Sequence, residues 1–487
     1  MRHSGILLPV SSLPSPYGIG TFGKAAYRFV DFLQGAGQRY WQILPLGPTG
    51  YGDSPYQSFS TFAGNPYFVD LELLVQDGLL KEEECRACHF GDDPSRVDYG
   101  LLHQNRLPLL RRAFGRFVPG EDYFRFTSEN RDWVFDYGLF MALKKRYGGA
   151  PLSAWPASVR RREPAILEPL RAQLLTETVF HVFVQYLFYR QWKALKTYAN
   201  ERGIHIIGDI PIYVSPDSAD VWAQPDNYQL DENLTPCFVA GCPPDAFSAD
   251  GQLWGNPLYR WDKMAQDGFS WWMKRLRFSA QLYDVVRIDH FRGFESYYAI
   301  PFEDETAVNG HWEKGPGHAF IDTLKAHLPG FPILAEDLGY LTPEVKELLA
   351  YSGFPGMKVL QFAFDASRNS DYLLHNCGKH AVMYTGTHDN TTTADWLHTA
   401  APHEVEFAVQ YLNTDEKHFT GQFVRAALMS PCDTCIIPIQ DYLELPGSAR
   451  INTPSVPHGN WVWRLTDGQL TEELQEKIRY LCALYAR

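Results

Sequence analysis

The chain alternates short apolar runs that end in polar or acidic residues with stretches of helical length. Eight of the runs predict strands: residues 6–13, 40–47, 204–211, 284–289, 331–335, 357–364, 381–389 and 435–441. In the fourth, Val285, Val286 and Ile288 are β-branched and suit a buried, pleated backbone. Between the strands, apolar residues at helical spacing predict helices over 25–36, with Phe29, Phe32 and Leu33 on one face, and over 71–77, 132–147 and 176–200. A last amphipathic helix is predicted over 471–485.

Four of these strands end in a carboxylate: Asp209, Asp289, Glu336 and Asp389. Parallel strands closed into a barrel bring their C-terminal ends to one point, so four acids delivered this way predict a (β/α)8 TIM barrel with its chemistry on that face. The whole chain, 1–487, reads as this single catalytic barrel, with no C-terminal β-domain. Strands two and three stand about 150 residues apart, far more than one barrel helix needs. A helical insertion over approximately 68–186 accounts for the excess. A second insertion, approximately 215–278, carries groove loops; its Pro243-Pro244 and Gly255-Asn256-Pro257 read as loop chemistry rather than helix or strand.

The net charge of -13 argues against a nucleic-acid or anionic-membrane partner, both of which need a basic footprint. Aromatic residues make up 15% of the chain, many of them in Gly/Pro/Asn-rich segments, which fits an amphipathic, ring-shaped ligand. No apolar stretch reaches the roughly eighteen residues of a membrane span, and the N-terminus lacks a signal peptide's apolar core, so a cytoplasmic location is expected. Two Cys-x-x-Cys pairs, Cys85/Cys88 and Cys432/Cys435, have zinc-ribbon spacing, yet nothing brings the pairs together and no metal is expected.

The candidate chemistry lies at the acids. Arg287 precedes Asp289 by two positions and shares its face of the strand, which favours the ionised form and a low pKa suited to a nucleophile. Glu336 follows Ile333, Leu334 and Ala335, a drier setting that keeps a general acid protonated. Asp389, beside His388, completes the set as a charged group that binds sugar hydroxyls more strongly as the ring flattens. Together they equip the protein to cleave a glycosidic bond with retention. The loop over 51–60, which contains Tyr56, reads as substrate-lining, and Phe247 and Trp254 as walls of a sugar groove.

These residues sit in motifs that recur in one order from Gly5 to about Arg464: Ser54-Pro55-Tyr56-Gln57, Gly208-Asp209-Ile210-Pro211, Trp254-Gly255-Asn256-Pro257, Arg287-Ile288-Asp289-His290, Ala335-Glu336-Asp337-Leu338-Gly339, Gly386-Thr387-His388-Asp389-Asn390 and Gly459-Asn460-Trp461. In this the chain resembles the amylomaltase or 4-α-glucanotransferase family of the α-amylase clan. The resemblance implies Asp289 as nucleophile, Glu336 as acid/base and Asp389 as transition-state stabiliser. It implies sugar contacts from Tyr56, Asp209, Phe247, Trp254, Asn256, Arg287, His290, His388, Asn390, Asn452 and Trp461. The expected activity is transfer of α-1,4-glucan segments between maltooligosaccharides, without cofactor, by a monomer or homodimer. Two alternatives stand beside it. A hydrolase of the same clan would use the same acids and differ in how well water is kept out. A glycan-binding protein on an inactive barrel would keep the aromatics but have no need of all three acids.

Overall fold

The computed structural model describes residues 2–50, 52–244, 249–339 and 341–487. Eight parallel strands form its core: β1 (His3–Leu7), β2 (Tyr40–Gln42), β3 (His205–Pro211), β4 (Val285–Asp289), β5 (Ile333–Ala335), β6 (Gly356–Val359), β7 (Ala381–Tyr384) and β8 (Thr434–Pro438). Each pairs with its neighbours in the order β6-β7-β8-β1-β2-β3-β4-β5. The ring closes where the Ala335 N–H of β5 donates to the Pro355 carbonyl, just before β6, at 3.0 Å. The expected (β/α)8 barrel is therefore the observed fold.

Most strands are shorter than their apolar runs. The run after β1 turns into a 3-10 helix at Val10–Ser12, that after β6 into one at Leu360–Phe362, and that after β8 into a helical turn at Ile439–Tyr442. In consequence Glu336 and Asp389 stand just beyond their strands, on the connections that roof the barrel.

The barrel interior is polar in its upper layer. Asp209 of β3 and Arg287 of β4 are register partners, so their side chains lie next to each other inside the barrel. Across from them, the Tyr384 hydroxyl of β7 donates to Gln42 Oε1 of β2 at 2.7 Å. A core layer of this kind is retained where a charged site rests on it.

Helices cover the outside. Leu175–Glu201 buries Phe180, Phe183, Val184 and Leu187 and packs along Val134–Arg146. Asp70 joins three parts of the structure: it caps Leu71–Gln76 by accepting the Leu73 N–H, accepts the Thr21 hydroxyl at 2.6 Å, and donates its own N–H to Gln191 of the long helix. Losing such a cap costs about 1 kcal/mol. Helices Tyr99–Arg116, Glu121–Glu129 and Pro164–Gln173 add to those expected from periodicity.

One reading is corrected. The segments around Pro243 and Gly255-Asn256-Pro257 are not all loop: Phe238–Cys242 and Gln252–Pro257 are strands, joined by Ser296–Pro301 and His311–Lys314 in a four-stranded antiparallel sheet. Gln252–Pro257 is an edge strand whose proline is its last residue, where the missing N–H costs no ladder bond. Gly255, with φ +76°, and a register shift between Val239 and Gly241 absorb the irregularity that resembled a loop.

Candidate active site

The site is built on Arg287. Its guanidinium donates to Asp209 Oδ2 at 2.6 Å and pairs with Asp289 Oδ1 at 2.9 Å. Arg287 and Asp209 are almost fully enclosed, whereas the Asp289 side chain keeps 30% of its surface open to the cleft. A buried cation of this kind is stable only because two acids share it, and the open one is left available to a ligand.

Glu336 meets Asp289 from β5. Its backbone continues the sheet past the strand end: its N–H donates to the Ile288 carbonyl and its own carbonyl accepts the Phe291 N–H, both at 3.0 Å. Its carboxylate accepts the His290 and Leu338 N–H groups, each at 2.7 Å. His290 reaches this geometry with φ +56°, a left-handed conformation that a non-glycine residue adopts at a cost and that recurs at functional sites.

Burial pushes the Glu336 carboxyl up to about 8, helped by the charge of Asp289 and opposed by Arg287 and the two N–H groups. Asp289 also rises, to about 6, because burial outweighs the pull of Arg287. The expectation of a low pKa at Asp289 is therefore corrected: an adjacent guanidinium does not offset the water that the cleft removes. The two acids share one site and titrate together. Their order carries the chemistry, since Asp289, nearer the cation and open to the cleft, ionises before Glu336. His290 is held neutral, its pKa lowered to about 3 by burial and by Arg292. The Trp254 indole and the His290 ring meet at 89°, with centroids 4.8 Å apart.

Asp389 comes from the connection after β7. Asn452 Nδ2 donates to its Oδ1 at 2.6 Å, and Arg450 donates to its carbonyl. His388 Nε2 lies 3.4 Å from the same Oδ1 and 2.9 Å from the Tyr56 hydroxyl. Tyr56 has one proton to give, and its partner Asp209 Oδ2, 2.8 Å away, can only accept. His388 Nε2 must then carry the hydrogen, so this tautomer points a donor at Tyr56 and Asp389. Tyr56 and His388 are stacked at 14° with centroids 5.3 Å apart, and Trp461 backs both rings.

The expected site residues thus converge on one cleft with different duties. Asp209, Arg287, Asp289, His290, Glu336, His388, Asp389, Tyr56, Asn452 and Trp254 make the contacts just given. Asn256 is 5% exposed and ties loops together, donating to the Val214 carbonyl at 2.8 Å and accepting from Gln57. Asn390 turns its Oδ1 back to the Thr387 N–H and hydroxyl. Trp461, 8% exposed with φ +63°, is a backing ring more than an open platform. Phe247 lies outside the described residues. Among the described residues no group of three or more His, Cys, Asp or Glu side chains is arranged to hold a metal ion. Cys85, Cys432 and Cys435 are buried free thiols.

Some neighbours of the site carried no clear sequence signal. Arg450 stands in the conspicuous loop over 449–455, from which only Asn452 was expected to serve the site. Phe362, 42% exposed in the turn after β6, packs edge-on to Tyr372, whose phenol is pushed up by burial and by the charges of Asp337 and Glu336. A large exposed ring at the C-terminal end of a barrel strand was the available clue.

One acid that ionises first, a second that keeps its proton to higher pH, and a third fixed on the connection after β7 can open and re-form a glycosidic bond. The chain also has relatives among known proteins. A family model described as 4-alpha-glucanotransferase matches residues 8–471. The chain is 46% identical to a 4-alpha-glucanotransferase of Clostridium butyricum over 98% of this chain and 99% of the relative. It is 48% identical to one of Thermus thermophilus, over 98% and 97%. Its structure matches an amylomaltase of Streptococcus agalactiae solved in complex with acarbose, with TM-score 0.97 and 41% identity over the full length of both.

Proposed function

The chain belongs to the 4-alpha-glucanotransferase family, and from that premise we propose how its three acids divide the work. The protein is an enzyme that transfers α-1,4-glucan segments. Asp289 attacks the anomeric carbon of the donor while Glu336 gives its proton to the departing glycosidic oxygen, leaving a glycosyl ester on Asp289 and a free shortened glucan. Glu336, now ionised, takes the proton from the 4-hydroxyl of an incoming sugar, whose oxygen displaces Asp289 and restores the α-linkage. Asp389 meets the positive charge on the flattened ring in both steps.

The observation that carries this reading is the Arg287-paired Asp289, open to the cleft, beside a Glu336 carboxyl fixed by the His290 and Leu338 N–H groups and pushed up by burial. Asp209, Arg287, His290, His388, Asn390 and Asn452 hold the sugar hydroxyls or the groups that do. Tyr56 and Trp254, with Trp461 behind Tyr56 and Asn256 bracing the Trp254 strand, keep an acceptor sugar oriented where water would be mobile, and Phe247 is assigned the same duty from its sequence. Orientation of this kind offsets the greater abundance of water. A cytoplasmic monomer or homodimer with glucans as its partners, and no nucleic acid or membrane, is part of the same proposal. The net charge of -13 supports the part that concerns nucleic acid and anionic membranes, and among the described residues no helix is long and apolar enough to cross a membrane.

Incubation with maltotriose tests the reading. Glucose and longer maltooligosaccharides are expected together, with reducing ends nearly constant. A steady rise in reducing ends without longer chains would make the protein a hydrolase.

A further inference from the structure

The connection that carries the third acid is tied at both ends to one carboxylate outside the cleft. Asp441, 2% exposed, lies on the helical turn Ile439–Tyr442 directly after β8. Its Oδ2 accepts the hydroxyls of Thr385 and Thr393, and its Oδ1 accepts the Thr393 N–H at 2.8 Å. Thr385 follows the last residue of β7, and Thr393 opens the helix Thr393–Thr399. Between them stand Thr387, His388, Asp389 and Asn390. Asp441 therefore bridges the two ends of this loop from the β8 side, while Gln361, after β6, supports the same ends through the Thr385 and Thr391 carbonyls, at 3.2 and 3.0 Å.

We propose that Asp441 is a positioning residue for glycosyl transfer: it fixes the base of the loop so that Asp389 stands where charge develops on the sugar. This rests on the role given to Asp389 above. The tip of the loop has its own anchors, Asn452 and Arg450, which hold the Asp389 carboxylate and carbonyl. They come from a different segment and set orientation, while Asp441 sets the distance from β7. Burial raises the Asp441 pKa against the hydrogen bonds from both threonines. The cost of keeping a carboxylate there is offset only by those three bonds, so the site is specific for an acceptor that can serve both ends of the loop. Because Asp441 touches no sugar, its effect is expected on turnover and not on binding.

The test is maltotriose disproportionation by the full chain, with kcat and KM measured for Asp441→Ala, Asp441→Asn, Thr385→Val, Asp389→Asn and the double variant Asp389→Asn/Asp441→Ala. A displacement of about 1 Å costs about 100-fold in rate, so Asp441→Ala is expected to lower kcat about 10- to 100-fold with KM changed less than about twofold. Asp441→Asn is expected to recover much of this, because its carbonyl keeps the Thr393 N–H and both hydroxyls can turn to accept from its amide. Thr385→Val, which removes one bond only, is expected to move kcat in the same direction by less; should Asp441→Ala fail to fold, Thr385→Val decides. In the Asp389→Asn background, Asp441→Ala is expected to add nothing, since it acts through the group already lost. A multiplied loss in that background, a rise in KM alone, or an unchanged kcat would overturn the proposal. A nearly wild-type Asp389→Asn would instead overturn the role of Asp389 itself.

Discussion

Strand β4 is bracketed by two aspartates, Asp284 just before its first residue and Asp289 at its last, and the two ends of the barrel treat them in opposite ways. At the N-terminal end, Asp284 accepts the Ile206 N–H and Asn200 Nδ2, both at 2.8 Å, and pairs with Lys196 at 3.3 Å. Its acceptors are filled by the neighbouring strand and the preceding helix, so it holds the barrel together. At the C-terminal end, Asp289 has Arg287 as its one cation, and the rest of the carboxylate faces the cleft. The residue type and strand are shared; what differs is whether the protein or a ligand completes the coordination. Unspent hydrogen-bonding capacity marks the working end of a barrel, and spent capacity marks the structural end.

The sharpest way to break this contrast is at Asp289. Asp289→Asn removes the nucleophile while leaving the amide able to accept from Arg287, and kcat is expected to fall on the order of 10⁴-fold with the fold intact by circular dichroism. A variant that kept a tenth of its activity would show that the open acid is not the reacting one. Glu336→Gln is expected to slow turnover far more than it weakens binding of maltooligosaccharides, because the acid works on the leaving oxygen. Loss of binding with turnover preserved would contradict that.

A smaller effect is expected at the link between the strands. The Tyr56 hydroxyl joins Asp209 to His388, and Tyr56→Phe leaves a buried Asp209 oxygen without that donor and His388 without its acceptor. We expect kcat/KM for maltotriose to fall about 10- to 100-fold. A change confined to thermal stability would make the network structural, like the one around Asp284.

The pH profile follows from the order of the two acids. Transfer needs Asp289 ionised, so the rate is expected to fall as pH drops below about 6, and it needs Glu336 protonated, so the rate is expected to fall as pH rises above about 8. Each limb should approach tenfold per pH unit, and both reflect the pair rather than one residue. In Glu336→Gln the residual rate should lose its basic limb; a limb that survived would belong to another group.

How much of this was legible in the sequence depends on whether a feature is local. Apolar runs ending in acids needed only the strand period and the convergence of barrel strands to bring Asp209, Asp289, Glu336 and Asp389 together. Two kinds of feature were not legible. The antiparallel sheet joins Gln252–Pro257 to His311–Lys314 across a stretch that contains β4 itself, and its glycine and proline hide the strand. The rise in the Asp289 pKa comes from burial, which neighbours in sequence do not report; Arg287 two positions away suggested the opposite sign. Likewise Asp441 and Arg450 act on residues 48 to 61 positions away; Asp441 does end the eighth apolar run, but that pattern does not tell an acid spent on a neighbouring loop from one open to the cleft.

The last and smallest effect concerns stability, where the two ends of β4 should respond with opposite signs. Glu336 has a folded pKa of about 8 against an ordinary value near 4.5. The folded state therefore holds this proton more tightly than the unfolded chain, and the stability gained is complete below about 4.5 and lost as pH rises towards 8. Above that range a charged Glu336 in a closing cleft opposes folding. Glu336→Gln removes the charge but cannot accept both the His290 and the Leu338 N–H, so it is expected to raise Tm by about 2 °C at pH 8, where the charge dominates, and to give no gain at pH 5. Asp284→Asn should do the reverse: its amide cannot accept everything that the Ile206 N–H, Asn200 and Lys196 now donate, at a cost of about 1–3 kcal/mol and a lower Tm, with kcat unchanged. Calorimetry of the two variants at both pH values decides the matter. If both lose stability at pH 8, the acid in the cleft is held as firmly as the one beneath the barrel, and a carboxylate left open for a ligand costs the fold nothing.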